Sequence, residues 1–159
     1  MFKLPIELYY PAFSLFMMFL AVVFVPREKF KSLFWIGLLW GYVFSILATL
    51  LGNILNLFRW EHIQPFGFLT SVQWLDLAWI FAVILFLYYI PEDLGWYVYP
   101  AYLIIFSIAS AALDMVFHEL GLLTYVNWNP FWRFILALLW FYGATRHYNY
   151  QLKKKRGAM

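Results

Sequence analysis

Residues 33–57 read LFWIGLLWGYVFSILATLLGNILNL, a run without one ionisable side chain. At about 1.5 Å of helical rise per residue, this run is longer than the roughly 30 Å hydrocarbon core of a bilayer. It predicts a membrane-spanning helix, and the sequence on either side reads the same way. Upstream, the apolar stretch between Glu7 and Arg27 is opened by Pro11 near a helix start and closed by Pro26. Downstream, a third run from Phe68 to Ile90 holds one ionisable residue, Asp76. A fourth lies between Asp93 and Asp114 and continues past it to His118. A fifth begins where Asn129 can cap and Pro130 can take the first helical position, and is interrupted by Arg133. The expectation is an all-α integral membrane bundle of five transmembrane helices, over about 9–25, 33–57, 68–90, 96–118 and 130–147, followed by a basic tail at 148–159.

Composition supports the same class. The chain of 159 residues is 65% hydrophobic and only 12% charged, with a mean hydropathy of +0.75. A soluble domain keeps roughly 25% charged residues to wet its surface. Nine Trp, twelve Tyr and eighteen Phe suit a protein with two interfaces to line. The length allows one domain. The absence of cysteine excludes disulfides, thiolate metal sites and cysteine nucleophiles.

A cleaved signal peptide is the competing reading of the first run, because Lys3 precedes it. Glu7 falls in the would-be basic region and no small-x-small cleavage pattern follows, which favours a retained span.

The basic residues set an orientation. Arg27, Lys29 and Lys31 lie between the first and second runs, and Arg146, Lys153, Lys154, Lys155 and Arg156 follow the fifth; only Lys3, Arg59 and Arg133 fall on the other side. The richer side is expected to be cytoplasmic, which requires an odd number of spans and an amino terminus outside. The turn Pro91, Glu92, Asp93 adds no basic residue. The net charge of +3 is spent on the ends of apolar runs and does not form a helical face, so no nucleic-acid partner is expected; membrane lipids are.

Under this topology the polar side chains gather in the outer third. Asn53 and Asn56 end the second span and Arg59, Glu61 and His62 follow. Gln73 and Asp76 begin the third, Asp114, His118 and Glu119 end the fourth, and Asn127, Asn129 and Arg133 begin the fifth. Ser107, Ser110, Asp114 and His118 recur at helical spacing, a stripe expected to face other helices because a carboxylate facing lipid costs several kcal/mol. Gly37, Gly41, Ser45, Ala48, Gly52 and Asn56 form a small-residue stripe. It predicts close approach of the second span to the fourth, or to a partner helix through Gly37, Gly41 and Ser45. Asp76, about 10 Å below the expected start of its span, has Arg59, Arg133 and His118 as candidate partners. Asp76 and Asp114 either form an ionic lock with Arg133 and Arg59 or line a ligand or proton site.

Tests for known chemistry are largely negative. His118 and Glu119 resemble the start of a zinc-protease helix, but Leu122 stands where a second histidine is needed. Asp114 and His118, with His62 or Asp76, are the only metal-ligand spacing, and no metal is expected. No phosphate loop, nucleophile elbow or dinucleotide fingerprint is present, and no cofactor is indicated. His147 is placed in the cytoplasmic headgroup layer.

The stretch Glu119, Leu120, Gly121, Leu122, with Tyr125, Asn127, Trp128 and Asn129, suits a tight interfacial turn. It resembles a family of small multi-spanning membrane proteins from spore-forming Gram-positive bacteria, which carry a similar acidic residue, Leu-Gly, Tyr and Trp-Asn near the last span. The likeness covers the last third of the chain and implies a bacterial cytoplasmic-membrane location but no activity. The Trp-x-Pro-Pro element of the translocator proteins is missing, since the first loop reads Pro26, Arg27, Glu28, Lys29.

Three functions fit these residues. The first is binding or transport of a small or lipid-like ligand in an outer cluster of Asp76, Asp114, His118, Glu119, Arg133, Arg59, His62, Asn53, Asn56, Gln73 and Trp128, lined by Trp60, Trp74, Trp128 and Trp132. The second is a non-catalytic subunit of a membrane complex. The third is an intramembrane enzyme acting on a lipid, with His118 as general base and Asp114 as its orienter.

Overall fold

A computed structural model describes residues 5–65, 67–68, 70–91 and 96–156, with the side chains of the last two excepted. Lys3, and Glu92 and Asp93 of the turn assigned no basic residue, lie outside the described residues.

The described residues form five helices, joined by short strands and turns. A single 3-10 turn, Ile6–Leu8, leads into α1, Tyr9–Phe24. Pro11 falls in the first turn of α1, where a missing N–H costs nothing. Val25 is extended ahead of Pro26, the conformation a following proline favours, and α2 begins at once on Arg27. α2 runs over Arg27–Ile54 and contains a π-helical stretch, Leu38–Val43. It therefore starts six residues before the expected second span, carrying the basic residues of the loop on its first turns. Asn56 in the left-handed region, at φ 51°, ends it before Leu57. α3 is Gln73–Tyr88, α4 is Val98–Glu119 and α5 is Pro130–Arg156.

Three of these helical stretches are long and apolar enough to cross a membrane: Ile6–Phe24, Arg27–Ile54 and Val98–Glu119. Their outward faces are inverted relative to a soluble protein. Phe19, Val22 and Val23 on α1, Trp35, Leu51 and Ile54 on α2, and Ile105 and Ile108 on α4 are all more than half exposed. Such a contiguous apolar belt is stable only against an apolar solvent.

α3 is shorter, about 24 Å by helical rise, because the chain expected to begin it at Phe68 forms a two-stranded turn instead. β2, Gly67–Phe68, pairs with β3, Ser71–Val72. α3 is the centre of the bundle. Leu75, Ala78, Ile80, Val83, Ile84, Phe86 and Leu87 are buried on all sides by α1, α2 and α5, which explains an apolar sequence with no polar face.

The small-residue stripe of α2 packs on α3, not on α4. A Cβ at Gly37 would meet the Ile84 side chain, and one at Gly41 would meet the backbone of Trp79 and Ile80. Ser45 also turns toward α3, so all three residues offered to a partner helix are engaged within the chain.

A second, antiparallel ribbon closes the outer end, with β1, Phe58–Trp60, pairing with β4, Leu123–Tyr125. The turn between α4 and β4 is built by Gly121 at φ +73°. Leu122 N–H donates to Phe117 O at 2.8 Å and Gly121 N–H to His118 O at 2.9 Å, a Schellman arrangement with Phe117 and Leu122 in apolar contact. Tyr10 of α1 holds this ribbon from below, its hydroxyl 2.6 Å from Glu61 O and 2.8 Å from Leu122 O, one proton shared between two carbonyls. At the start of α5, Asn129 Oδ1 accepts from Trp132 N–H at 3.1 Å with Pro130 in the first helical position, as the sequence leads one to expect.

Candidate functional site

Beneath the β1–β4 ribbon, α2, α3, α4 and α5 enclose a cavity. Its polar lining is Ser45, Thr49, Ser71, Asp76, Ser110, Asp114 and Arg133; Trp60, Trp79, Trp128 and Trp140 make most of its aromatic wall. It offers about 40 Å³ to the centres of water molecules. One water needs roughly 10–15 Å³ on that measure, so about three would fit.

Asp76 is the most deeply buried carboxylate, 1% exposed. Ser45 Oγ donates to its Oδ1 at 2.6 Å, and Ser71 Oγ donates to its Oδ2. One turn away, Tyr42 OH donates to Gln73 Oε1 at 2.6 Å. Tyr42 and Ser45 are spaced i, i+3 on α2, and Gln73 and Asp76 are spaced i, i+3 on α3. Because the two helices run antiparallel, the bonds cross: Ser45 meets Asp76 in the register that lays Gly41 on Ile80, and the long Tyr42 side chain reaches toward the start of α3 to Gln73. Gly41 makes this possible by letting α2 approach the α3 backbone. The π-helical stretch that ends at Val43 adjusts the phase at which Tyr42 and Ser45 arrive, a common use of such local widening.

None of the three expected partners reaches Asp76. Arg133 pairs with Asp114 instead, Nε to Oδ2 at 3.1 Å. The Nε–H is not aligned on that oxygen, so the pair is a charge contact more than a directed hydrogen bond. Arg133 also places its guanidinium carbon 5.0 Å from the centre of the Trp79 ring, a cation–π contact. Of the expected lock, only the α4–α5 half forms. Among the described residues Asp76 has no cationic partner, and the cavity carries two carboxylates against one guanidinium.

The remaining candidates separate into neighbours and outliers. Gln73 adjoins the site through Tyr42, and its Nε2 is buried without a partner. Trp128 lines the cavity, packed against Phe58 at 5.6 Å. Asn53 donates to Thr49 O and Thr70 Oγ1, and Asn56 O accepts from Asn127 Nδ2, so both serve the turn at the end of α2. Arg59 and Glu119 are exposed and line no part of the cavity, and His62 is exposed in a left-handed turn. Trp132 faces outward, and Trp74 packs with the Tyr10 and Phe117 cluster.

His118 is also displaced from chemistry. The stripe expected to run Ser107, Ser110, Asp114, His118 is buried at its first three members and then at Phe117, while His118 is exposed. Its Nδ1 lies 2.8 Å from Leu123 O and its ring stacks on Tyr125 at 4.4 Å. Asp114 is turned toward Arg133, so the proposed base and orienter do not meet. Tyr125 itself is pushed up to about 12 by burial first and by the Asp114 charge second, with Arg133 opposing, so its phenol stays protonated across the physiological range. His147 is half-buried and accepts from Trp40 Nε1 at 2.9 Å. Among the described residues, no cluster of three or more His, Asp or Glu could hold a metal ion.

Ser71, Trp79 and Trp140 were not expected at the site. The two tryptophans carry a signal in retrospect: Trp79 lies three residues after Asp76 and Trp140 seven after Arg133, hence on the same helix faces. Ser71 needed the β2–β3 turn, which hydropathy conceals. Comparison of the chain with protein-family models, with curated proteins and with solved structures finds no match.

Proposed function

We propose that the protein is a five-span protein of the bacterial cytoplasmic membrane, amino terminus outside and carboxyl terminus cytoplasmic, that binds or transports a small or lipid-like ligand in its outer cavity. One observation carries the reading: Asp76 shares a cavity with Asp114 and Arg133 yet has no cation of its own among the described residues. A carboxylate in a membrane bundle costs several kcal/mol unless something neutralises it, and a packing role would be served better by an apolar side chain. Trp128, Trp140 and Ser110 line the same cavity, and each carries a buried donor without a partner.

The ligand is tested by native mass spectrometry of the protein taken directly from its membrane. A non-covalent adduct is expected on the wild type and on Glu119→Gln, whose side chain lies on the exposed surface, and is expected to fall at least tenfold in Asp76→Asn. An unadducted wild type, or an adduct that ignores Asp76→Asn, defeats the reading.

Orientation is testable because the chain has no cysteine. In intact cells, a membrane-impermeant maleimide is expected to label Glu61→Cys and to leave Glu28→Cys unlabelled until the membrane is broken. The reverse pattern would invert the topology.

A further inference from the structure

The outer cavity is rich in hydrogen-bond acceptors. Ser45, Thr49, Ser71, Asp76 and Asp114 of its lining all end in oxygen. A serine hydroxyl has one proton, and Ser45 and Ser71 both commit theirs to Asp76. What these two oxygens can still present is lone pairs. Both oxygens of Asp76 accept, which is the arrangement of an ionised carboxylate. Thr49 lies one turn along α2 from Ser45 and on the same face, 5% exposed and lining the cavity. Among the described residues its hydroxyl has no hydrogen-bond partner, only its backbone carbonyl being used, by Asn53. The donors without partners, Trp128 Nε1, Trp140 Nε1 and Ser110 Oγ, are buried away from the free space. An anion would find only Arg133 there, already held by Asp114 and the Trp79 face.

Charge and size narrow the ligand further. Two carboxylates, Asp76 and Asp114, against the one guanidinium of Arg133 leave a single negative charge in excess. One monovalent cation cancels it, whereas a divalent ion would leave a positive charge that is equally costly in a membrane bundle. The cavity offers about 40 Å³ to water centres, room for about three waters. That is too little for an ion with its full hydration shell, so the cation must exchange most of its water for protein oxygen. Hard cations accept carboxylate and hydroxyl oxygen as ligands, and Mg²⁺ gives up its waters reluctantly. Toward the bilayer the cavity is walled by Trp79 and Phe141. Both also line an apolar gap between α3 and α4, formed with Met17, Ala82, Leu85 and Leu113 and presenting no polar surface, so an ion finds no ligand on that side.

We propose that the outer cavity binds one sodium ion, stripped of most of its water and held by oxygens of Ser45, Thr49, Asp76 and Asp114. This rests on the ligand-binding reading above and names its ligand.

The test is equilibrium binding of radioactive Na⁺ to purified full-length protein in detergent, with choline chloride holding the ionic strength constant. One ion per protein is expected, displaced by K⁺ at least tenfold less effectively than by unlabelled Na⁺, and not displaced by Mg²⁺. Na⁺ should also raise the thermal unfolding midpoint above its value in choline, because a ligand of the folded state stabilises that state. Asp76→Asn should weaken Na⁺ at least tenfold and erase the rise. Thr49→Val, which keeps the side-chain shape and removes only the hydroxyl, should weaken Na⁺ severalfold with an unchanged midpoint in choline. Glu119→Gln should bind as the wild type does. A wild type without saturable Na⁺ binding overturns the proposal without any variant having to fold. Binding that survives both Asp76→Asn and Thr49→Val puts the ion outside this cavity and overturns the site. K⁺ held as tightly as Na⁺ overturns the choice of ion. If Na⁺ does not bind while the native protein still carries an adduct that Asp76→Asn removes, the cation is rejected and the ligand-binding reading stands; if neither is found, both are rejected.

Discussion

Gly41→Ala is expected to destabilise the protein by about 3 kcal/mol, read as a lowered midpoint in thermal unfolding of the detergent-solubilised chain. A Cβ at this position would stand 2.5 Å from Ile80 N and 2.6 Å from Ile80 Cα and Trp79 C. These are backbone atoms of the most buried helix, so no rotamer change can relieve them and α2 must move away from α3. That movement also lengthens the Ser45–Asp76 and Tyr42–Gln73 hydrogen bonds, which depend on the close approach. Gly52→Ala is the comparison: its Cβ would meet the Phe58 ring at 2.5–2.6 Å, a side chain that lines the cavity and has that space to shift into. It should cost about 1 kcal/mol. Equal midpoints for the two variants would show that α2 and α3 are less tightly apposed than described.

Arg133→Met should be at least as damaging, by about 3–5 kcal/mol, because it strands Asp114, 6% exposed, without its only counter-charge among the described residues. The loss has two parts, the ion pair and the contact of the guanidinium with the Trp79 face. Asp114→Asn in the same chain should restore most of the stability, since a neutral amide no longer needs the cation. Denaturant unfolding of the two single variants and the double variant measures the coupling directly. Additive losses would mean that Arg133 acts through packing alone. Asp76→Asn behaves differently in this frame. Its serine partners can still bond to an amide, so it should cost little stability while removing ligand, and that contrast separates the structural carboxylate from the functional one.

The two carboxylates illustrate what a linear reading can and cannot reach. Both were recognisable as unusual, because each interrupts an apolar run, and intramembrane charge is expensive whatever the fold. Their partners were not recognisable. Arg133 was an equally good candidate for either, and the choice of Asp114 depends on α4 lying against α5. Asp76 found two hydroxyls instead, one from a small-residue stripe that was expected to serve only packing and one from a turn hidden inside an apolar stretch. His118 lies outside the cavity for a related reason. The helix ends in a Schellman turn at Gly121, and that turn places Leu123 O within reach of the imidazole, so a local bond outcompetes the stripe.

Length, hydropathy and proline placement, taken alone, determine that this chain is helical, apolar on its outside and able to cross a membrane with at least three helices. These are properties of each segment and its solvent, and need no knowledge of neighbours. Asn129 and Pro130 likewise set a helix start that the fold keeps, because capping is settled within four residues. The tertiary structure alone decided which helix is central, that the glycine stripe lies against α3, that one aspartate is paired and the other is not, and that an apolar gap adjoins the cavity. Those outcomes depend on the order in which helices pack, and in an apolar solvent hydropathy cannot distinguish a face turned to lipid from one turned to protein.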